Sequence, residues 1–241
     1  VSNDISVLVP HLFDYTNITD MAFSRAPYPI LWVITQHGKL LGLTYLPDQQ
    51  VSAWHQHDTG SGDWFEAACC ISETPDGALA AEDMLYLIVR RTVNGVTKRY
   101  VERMHTRYFE QLSDAFFVDC GASNFQPGTY IQSGTIVTCT VVSHGLTTGN
   151  TRKLDFSDST LDGSYTVTVV DNNNFTVTVT PNAISRGTVA IVVSSPVSSI
   201  SGLTWLEGRT VAVLADGAVM AQKTVTSGSI TLDASATKVT V

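Results

Sequence analysis

The 241-residue chain is long enough for two or three compact modules, each with its own core. Hydrophobic residues make up 44% and charged residues 15%, well under the usual quarter, which excludes a disordered, heavily solvated chain. Lys and Arg number 14 against 22 Asp and Glu, and the resulting charge of −8 excludes a clamp that wraps duplex DNA by bulk charge neutralisation.

The N-terminus, VSNDISVLVP, lacks the basic flank and long apolar stretch of a signal peptide, and no run of about 18 apolar residues occurs. The expectation is a soluble protein without an export address. The chain opens without Met and closes on the strand-like KVTV, so a piece of a longer protein is expected. Turn signals then recur at strand-length intervals: His37-Gly38, Pro47-Asp48, Asp76-Gly77, Asn94-Gly95, Asp162-Gly163, Asp171-Asn172, Asp216-Gly217 and Ser227-Gly228. Between them lie β-branched and aromatic runs, among them ILWVIT, KLLGLTYL, LYLIVRRTV, YTVTVV, FTVTVT, TVAIVV and TVAVLA, many alternating with period two. Helical signals are confined to short stretches near Ala78 to Asp83 and Arg107 to Ser113. The pattern predicts an all-β protein.

Composition changes near residue 126. Up to Phe125 there are 8 cations, 15 anions and 9 Thr; beyond it there are 6 cations, 7 anions and 21 Thr. Pro127-Gly128 and the Ser195 to Ser199 run look like linkers, so residues 126–198 read as a β module inserted into its host.

The sharpest feature is the hairpin at Asn94-Gly95. A two-residue loop pairs Val93 with Val96, Thr92 with Thr97, Arg91 with Lys98 and Arg90 with Arg99, setting two like-charge pairs across the strands. Each directly opposed like pair costs up to about 1 kcal/mol, so an anion is expected nearby. Arg90, Arg91, Lys98, Arg99 and Arg103 are five of the fourteen cations, and they are the candidate interface residues. Carboxylates of the same chain, carboxylates of a neighbouring subunit, or DNA phosphate would each serve as the anion.

Further along, other clusters offer chemistry. His55 and His57 flank Gln56 and would point the same way on a strand, with Asp58 and Glu66 as additional metal ligands; hydrogen-bonding histidines are the simpler reading. Asp155, Ser157, Asp158 and Asp162-Gly163 offer oxygen ligands to Ca²⁺ but miss the EF-hand spacing, so an Asp-rich turn is expected. Trp32, Trp54, Trp64 and Trp205 would serve a sugar-stacking platform or, more simply, cores and interfaces. Cys69, Cys70, Cys120 and Cys139 show no C-x-x-C spacing and read as reduced, buried thiols. Neither G-x-S-x-G, H-E-x-x-H, a P-loop nor G-x-G-x-x-G occurs, so no catalytic residue, metal site or cofactor is expected.

Two segments carry a family likeness. GKLLGLTYLPDQQVSAWHQHDT with DMLYLIVRRTVNGVTKRYVERM, and GLTWLEGRTVAVLADGAV with VTSGSITLDASATKVTV, resemble the tail nozzle proteins of short-tailed bacteriophages, also called tail tubular protein B. The middle stretch, HGLTTG followed by LDGSYTVTVVDNNNFTVT, is similar to a β module compared with the first catalytic cysteine half-domain of ubiquitin-activating enzymes. Cys139 there sits in a Thr/Val strand pattern, so ubiquitin-type chemistry is not expected.

The resemblance implies a propeller-like meander at 1–104, a small β-barrel or sandwich host domain made by 105–125 with 199–241, and the inserted module at 126–198. It implies a non-enzymatic tail subunit that joins other copies of itself in a ring, typically of six, beside portal and adaptor proteins, lining a DNA-ejection channel in the virion tail. DNA would pass only transiently, and no membrane would be involved. The alternative is a host-surface adhesin module binding a glycan or protein receptor. A hydrolase of wall or capsule sugars would need a carboxylate pair in a cleft.

Overall fold

In the computed structural model, residues 4–60, 62–73, 81–107, 116 and 118–241 are described, the side chains of 181 and 182 excepted. The protein is all-β, built from several antiparallel sheets, with a single turn of helix, α1 (Pro10–Phe13), and short 3-10 turns. Both expected helical stretches lie largely outside the described residues. Glu82 and Asp83, inside the first, open a strand instead, because the alternation of the following apolar run extends back to them. No helix among the described residues is long and apolar enough to cross a membrane.

The chain forms two compact units. Among the described residues the first takes 4–60, 62–73, 81–107 and 118–120, and the second takes 116 and 121–241. In the first, β1 (Ile18–Ser24), β2 (Ile30–Thr35), β3 (Leu40–Leu46) and β4 (Val51–His57) make one meander, and β5 (Trp64–Glu73), β6 (Glu82–Val93) and β7 (Val96–Arg103) make another. Ile30, Trp32, Ile34 and Leu40 from one sheet join Phe65, Leu85, Leu87 and Val89 from the other in a shared core. The alternation Leu85, Leu87, Val89 is what the period-two pattern dictates: one face of β6 packs inward.

The second unit holds two cores. Two long strands, β8 (Gln126–Thr140) and β12 (Asn174–Val192), form an antiparallel ribbon with an irregularity between Thr178 and Ala183. The start of β12 pairs with β11 (Thr168–Val169), and its end pairs with β9 (Thr151–Phe156). β9 in turn pairs with β10 (Gly163–Thr166), which runs on through Val167 into β11. The sheet thereby returns on itself as a nearly closed barrel. Tyr130, Val137, Cys139, Leu154, Phe156, Phe175, Val177 and Val189 fill it.

The other core belongs to β13 (Val197–Ile200) paired with β16 (Ile230–Ala236), and to β14 (Thr210–Ala215) flanked by β15 (Ala218–Thr224) and β17 (Val239–Thr240). Ile200, Leu203, Leu206, Val213, Val225, Ile230, Leu232 and Val239 form its centre. Residues 122–124 run beside the C-terminal strand. Ala122 and Val241 exchange backbone hydrogen bonds, and the Asn124 side chain accepts from Val239 N and donates to Thr237 O. Within the segment expected to join this host domain, residues 105–107 instead sit on β6: Arg107 N and Nε donate to Glu82.

Candidate functional site

The β6–β7 hairpin has the register expected from its two-residue loop, with Asn94 (φ 50°) and Gly95 (φ 74°) both left-handed and Arg90↔Arg99 and Arg91↔Lys98 directly opposed. The carboxylates that answer these cations belong to the same chain. Arg91, only 2% exposed, makes a two-pronged bond with Glu102 (Nε to Oε1 and Nη2 to Oε2, both 2.7 Å). Its Nη1 donates to Asp63 Oδ2 at 3.0 Å and to Thr59 O at 2.9 Å. Burial works against this charge, but the bonds and charges of Glu102, with Asp63 beside it, hold the guanidinium pKa above its ordinary value.

On the opposite face, Arg99 makes a two-pronged bond with Glu66 at 2.6 and 3.1 Å, and its donation lowers the pKa of that carboxyl. Arg90 shares the same carboxylate at 3.6 Å while stacking 4.8 Å over the Trp64 ring. Arg103 pairs with Glu73 at 3.0 Å, and Glu73 also accepts from the Tyr86 hydroxyl. Lys98 is exposed and forms no ion pair among the described residues.

The second cluster joins three groups. His55 and His57 do point the same way on β4: His55 Nδ1 lies 3.0 Å from His57 Nε2, and His57 Nδ1 lies 2.5 Å from Asp119 Oδ1. Asp119 Oδ2 also accepts from Asp58 N at 3.0 Å. Both contacts are hydrogen bonds when His57 donates to Asp119 and His55 donates to His57. Gly42 makes the arrangement fit. It stands between Trp32 and His55 in the ladder, and a Cβ there would overlap the His55 ring. Through that gap Trp32 meets His55 edge-on at 5.6 Å, and its Nε1 donates to buried Ser24. Burial lowers the pKa of His55, His57 lowers it further, and Asp119 opposes both.

Neither Asp58 nor Glu66 joins the histidines as a ligand: Glu66 is held by Arg99 and Arg90, and Asp58 accepts from Gly60 N. No group of three or more His, Cys, Asp or Glu among the described residues is placed to hold a metal ion. The Asp-rich stretch of the barrel is a set of turns. Asp158 caps Thr160, and Asp162 accepts from Phe156 N. The four tryptophans are dispersed: Trp32 is buried in the first core, Trp54 meets Phe13, Trp64 lies under Arg90, and Trp205 packs on the C-terminal core.

All four cysteines are free, but they are not all buried. Cys69 is exposed, because it lies on the outer face of β5, and Cys70 and Cys120 are half-buried. Cys139 is fully buried in the barrel, and burial pushes its thiol up to about 12, which disfavours the thiolate.

Sequence reasoning did not reach Asp63 or Asp119, which come from loops 28 and 62 residues away from their partners. Glu102 was within reach, since it shares a strand face with Lys98, the partner of Arg91. Neither a protein-family model nor a curated protein sequence matches the chain.

Proposed function

We propose that this chain is a structural subunit of a bacteriophage or prophage tail, a nozzle or hub component whose β modules brace a DNA-ejection channel in a ring of identical copies. The observation that carries the reading is the charge arrangement of the β6–β7 hairpin. Its arginines are answered by Glu66, Glu73, Glu102 and Asp63 of the same chain. A wall neutralised in this way stiffens the hairpin and offers little purchase to phosphate, and a conduit must release the strand it conducts. The tail-nozzle likeness of residues 38–59 and 83–104 supports the same role, because those strings fall on β3, β4, β6 and β7, the framework of the first unit.

The role is mechanical: ring closure by subunit contacts, docking to portal and adaptor proteins, and passage of DNA without retention. Exposed Lys98, without an ion pair among the described residues, is the hairpin cation left to meet a neighbouring copy. Electron microscopy of the full-length protein tests the reading, with a closed ring around a central hole as the expected result. A full-length protein that stays monomeric at high concentration overturns it, as do particles that lack it and eject DNA normally.

A further inference from the structure

The β6–β7 hairpin leaves one row of backbone groups unused. Hydrogen-bonded and non-hydrogen-bonded pairs alternate along an antiparallel ladder, and the two-residue loop makes Val93↔Val96 a hydrogen-bonded pair. The same phase reaches the far end, where Met104 N donates to Leu85 O at 2.9 Å. Arg91↔Lys98, Val89↔Tyr100 and Leu87↔Glu102 are therefore bonded pairs, and Thr97, Arg99, Val101 and Arg103 turn their N–H and C=O groups away from β6. β7 ends its three-stranded sheet, and among the described residues none of those outward groups has a hydrogen-bond partner. Its side chains are largely exposed, Val101 at 76%.

Such an edge is a template for another strand. A closed two-fold pair brings the strand antiparallel against its own copy, and the ladder forms only where the outward rows of both copies face each other. Charge selects among the registers that satisfy this. An axis at Lys98 sets Lys98 against itself, an axis at Arg99 sets Arg99 against itself, and an axis at Val101 sets Arg99 against Arg103. An axis at Tyr100 opposes no like charges: Thr97 faces Arg103, Arg99 faces Val101, and Lys98 faces Glu102.

We propose that β7 is a self-pairing edge, through which two copies of the chain join into one continuous sheet about a two-fold axis at Tyr100. This register supplies about eight ladder hydrogen bonds. It also answers Lys98, which stands opposite Arg91 and forms no ion pair among the described residues. Glu102 of the second copy receives it: each oxygen of that carboxylate accepts one bond from Arg91 and keeps a further lone pair. On the other face, Val101 gains the aliphatic stem of Arg99 from the second copy. The nearest slipped registers set like charges together, so Lys98 and Arg99 make the edge selective rather than sticky. A two-fold contact is used up by two copies, which separates it from the ring contact of the tail reading, and neither requires the other.

Sedimentation velocity of the whole chain tests the pairing, with a reversible dimer expected to grow in between about 1 and 500 μM. Lys98→Glu places a carboxylate against Glu102 of the second copy and is expected to weaken association about tenfold or more. Its melting temperature should hold or rise, because the same change relieves the Arg91↔Lys98 opposition within the hairpin. Tyr100→Cys in a Cys69→Ser background is expected to form an intermolecular disulfide under mild oxidation, and Val101→Cys in that background is not, since Tyr100 alone faces itself. A chain that stays monomeric to about 1 mM, a dimer indifferent to Lys98→Glu, or cross-linking through Val101→Cys in place of Tyr100→Cys overturns the proposal. Rings that Lys98→Glu leaves unchanged, with no dimer, overturn the edge pairing and keep the tail reading. A dimer lost on Lys98→Glu supports the pairing whatever becomes of that reading, and these two measurements decide even if a cysteine variant misfolds.

Discussion

Gly42 shows how one missing side chain shapes a polar cluster. The His55 ring occupies the space a Cβ would take, and His57 and Asp119 hold it there. Gly42→Ala should therefore cost about 1–3 kcal/mol, the range for overpacking a filled site. Chemical denaturation checks it, and the added variant His55→Ala should recover part of the loss. Acid should weaken the same corner. His55 has a lowered pKa in the folded state, so the unfolded chain takes up its proton first as pH falls. The stability from its neutral form is whole above the ordinary imidazole pKa, and it drains away as pH drops through the folded value. Melting temperatures between pH 8 and 5 should fall less steeply in His55→Gln than in the parent.

Thiol reactivity is a matter of the same scale. Cys69 should react first with an aromatic disulfide reagent at pH 8, and Cys139 only after unfolding, since its thiol is pushed up to about 12. The shared direction of His55 and His57 was legible in their i, i+2 spacing. Asp119 was not, because no local pattern ties a residue to a partner 62 positions away.

At the level of elements, the β6–β7 hairpin is where sequence and structure agree most closely. Period-two alternation and a two-residue Asn-Gly loop leave a single register, and the strands adopt it. Gly95→Ala places a Cβ at φ 74° and should cost about 1 kcal/mol. What the pattern left open was the fate of Arg91. It lies on the same face as Val89 and Val93, a face that reads as core, and its burial is tolerable because Glu102 on the paired strand and Asp63 from a distant loop both meet it. Arg91→Ala should cost about 3–5 kcal/mol, since it takes the guanidinium away from Asp63, itself 4% exposed, and from Glu102. Arg99→Ala, across the sheet in a more exposed pair, should cost under about 1 kcal/mol. Urea melts of the two variants test this ordering, and equal losses would refute it.

At the scale of the molecule, the hydrophobic side chains of the described residues gather into three cores, one in the first unit and two in the second. The middle one draws all its residues from beyond the composition change near residue 126. The placement of Arg107 and Asp119 was less legible, because they are tied by ion pairs and hydrogen bonds that leave no periodic trace. Separate cores should melt separately. Phe175→Ala, at the barrel centre, should lose about 3–5 kcal/mol from that transition alone, and Val89→Ala should lower a different one in calorimetry. A single transition shifted by both would count against independence.

The ladder pair Gln126↔Ile191 has a wider consequence. A polypeptide that leaves its host framework and rejoins it on the same rung costs that framework little in geometry, so the barrel should be removable as a cassette. Replacing residues 126–191 with a Gly-Ser bridge should leave the C-terminal core intact.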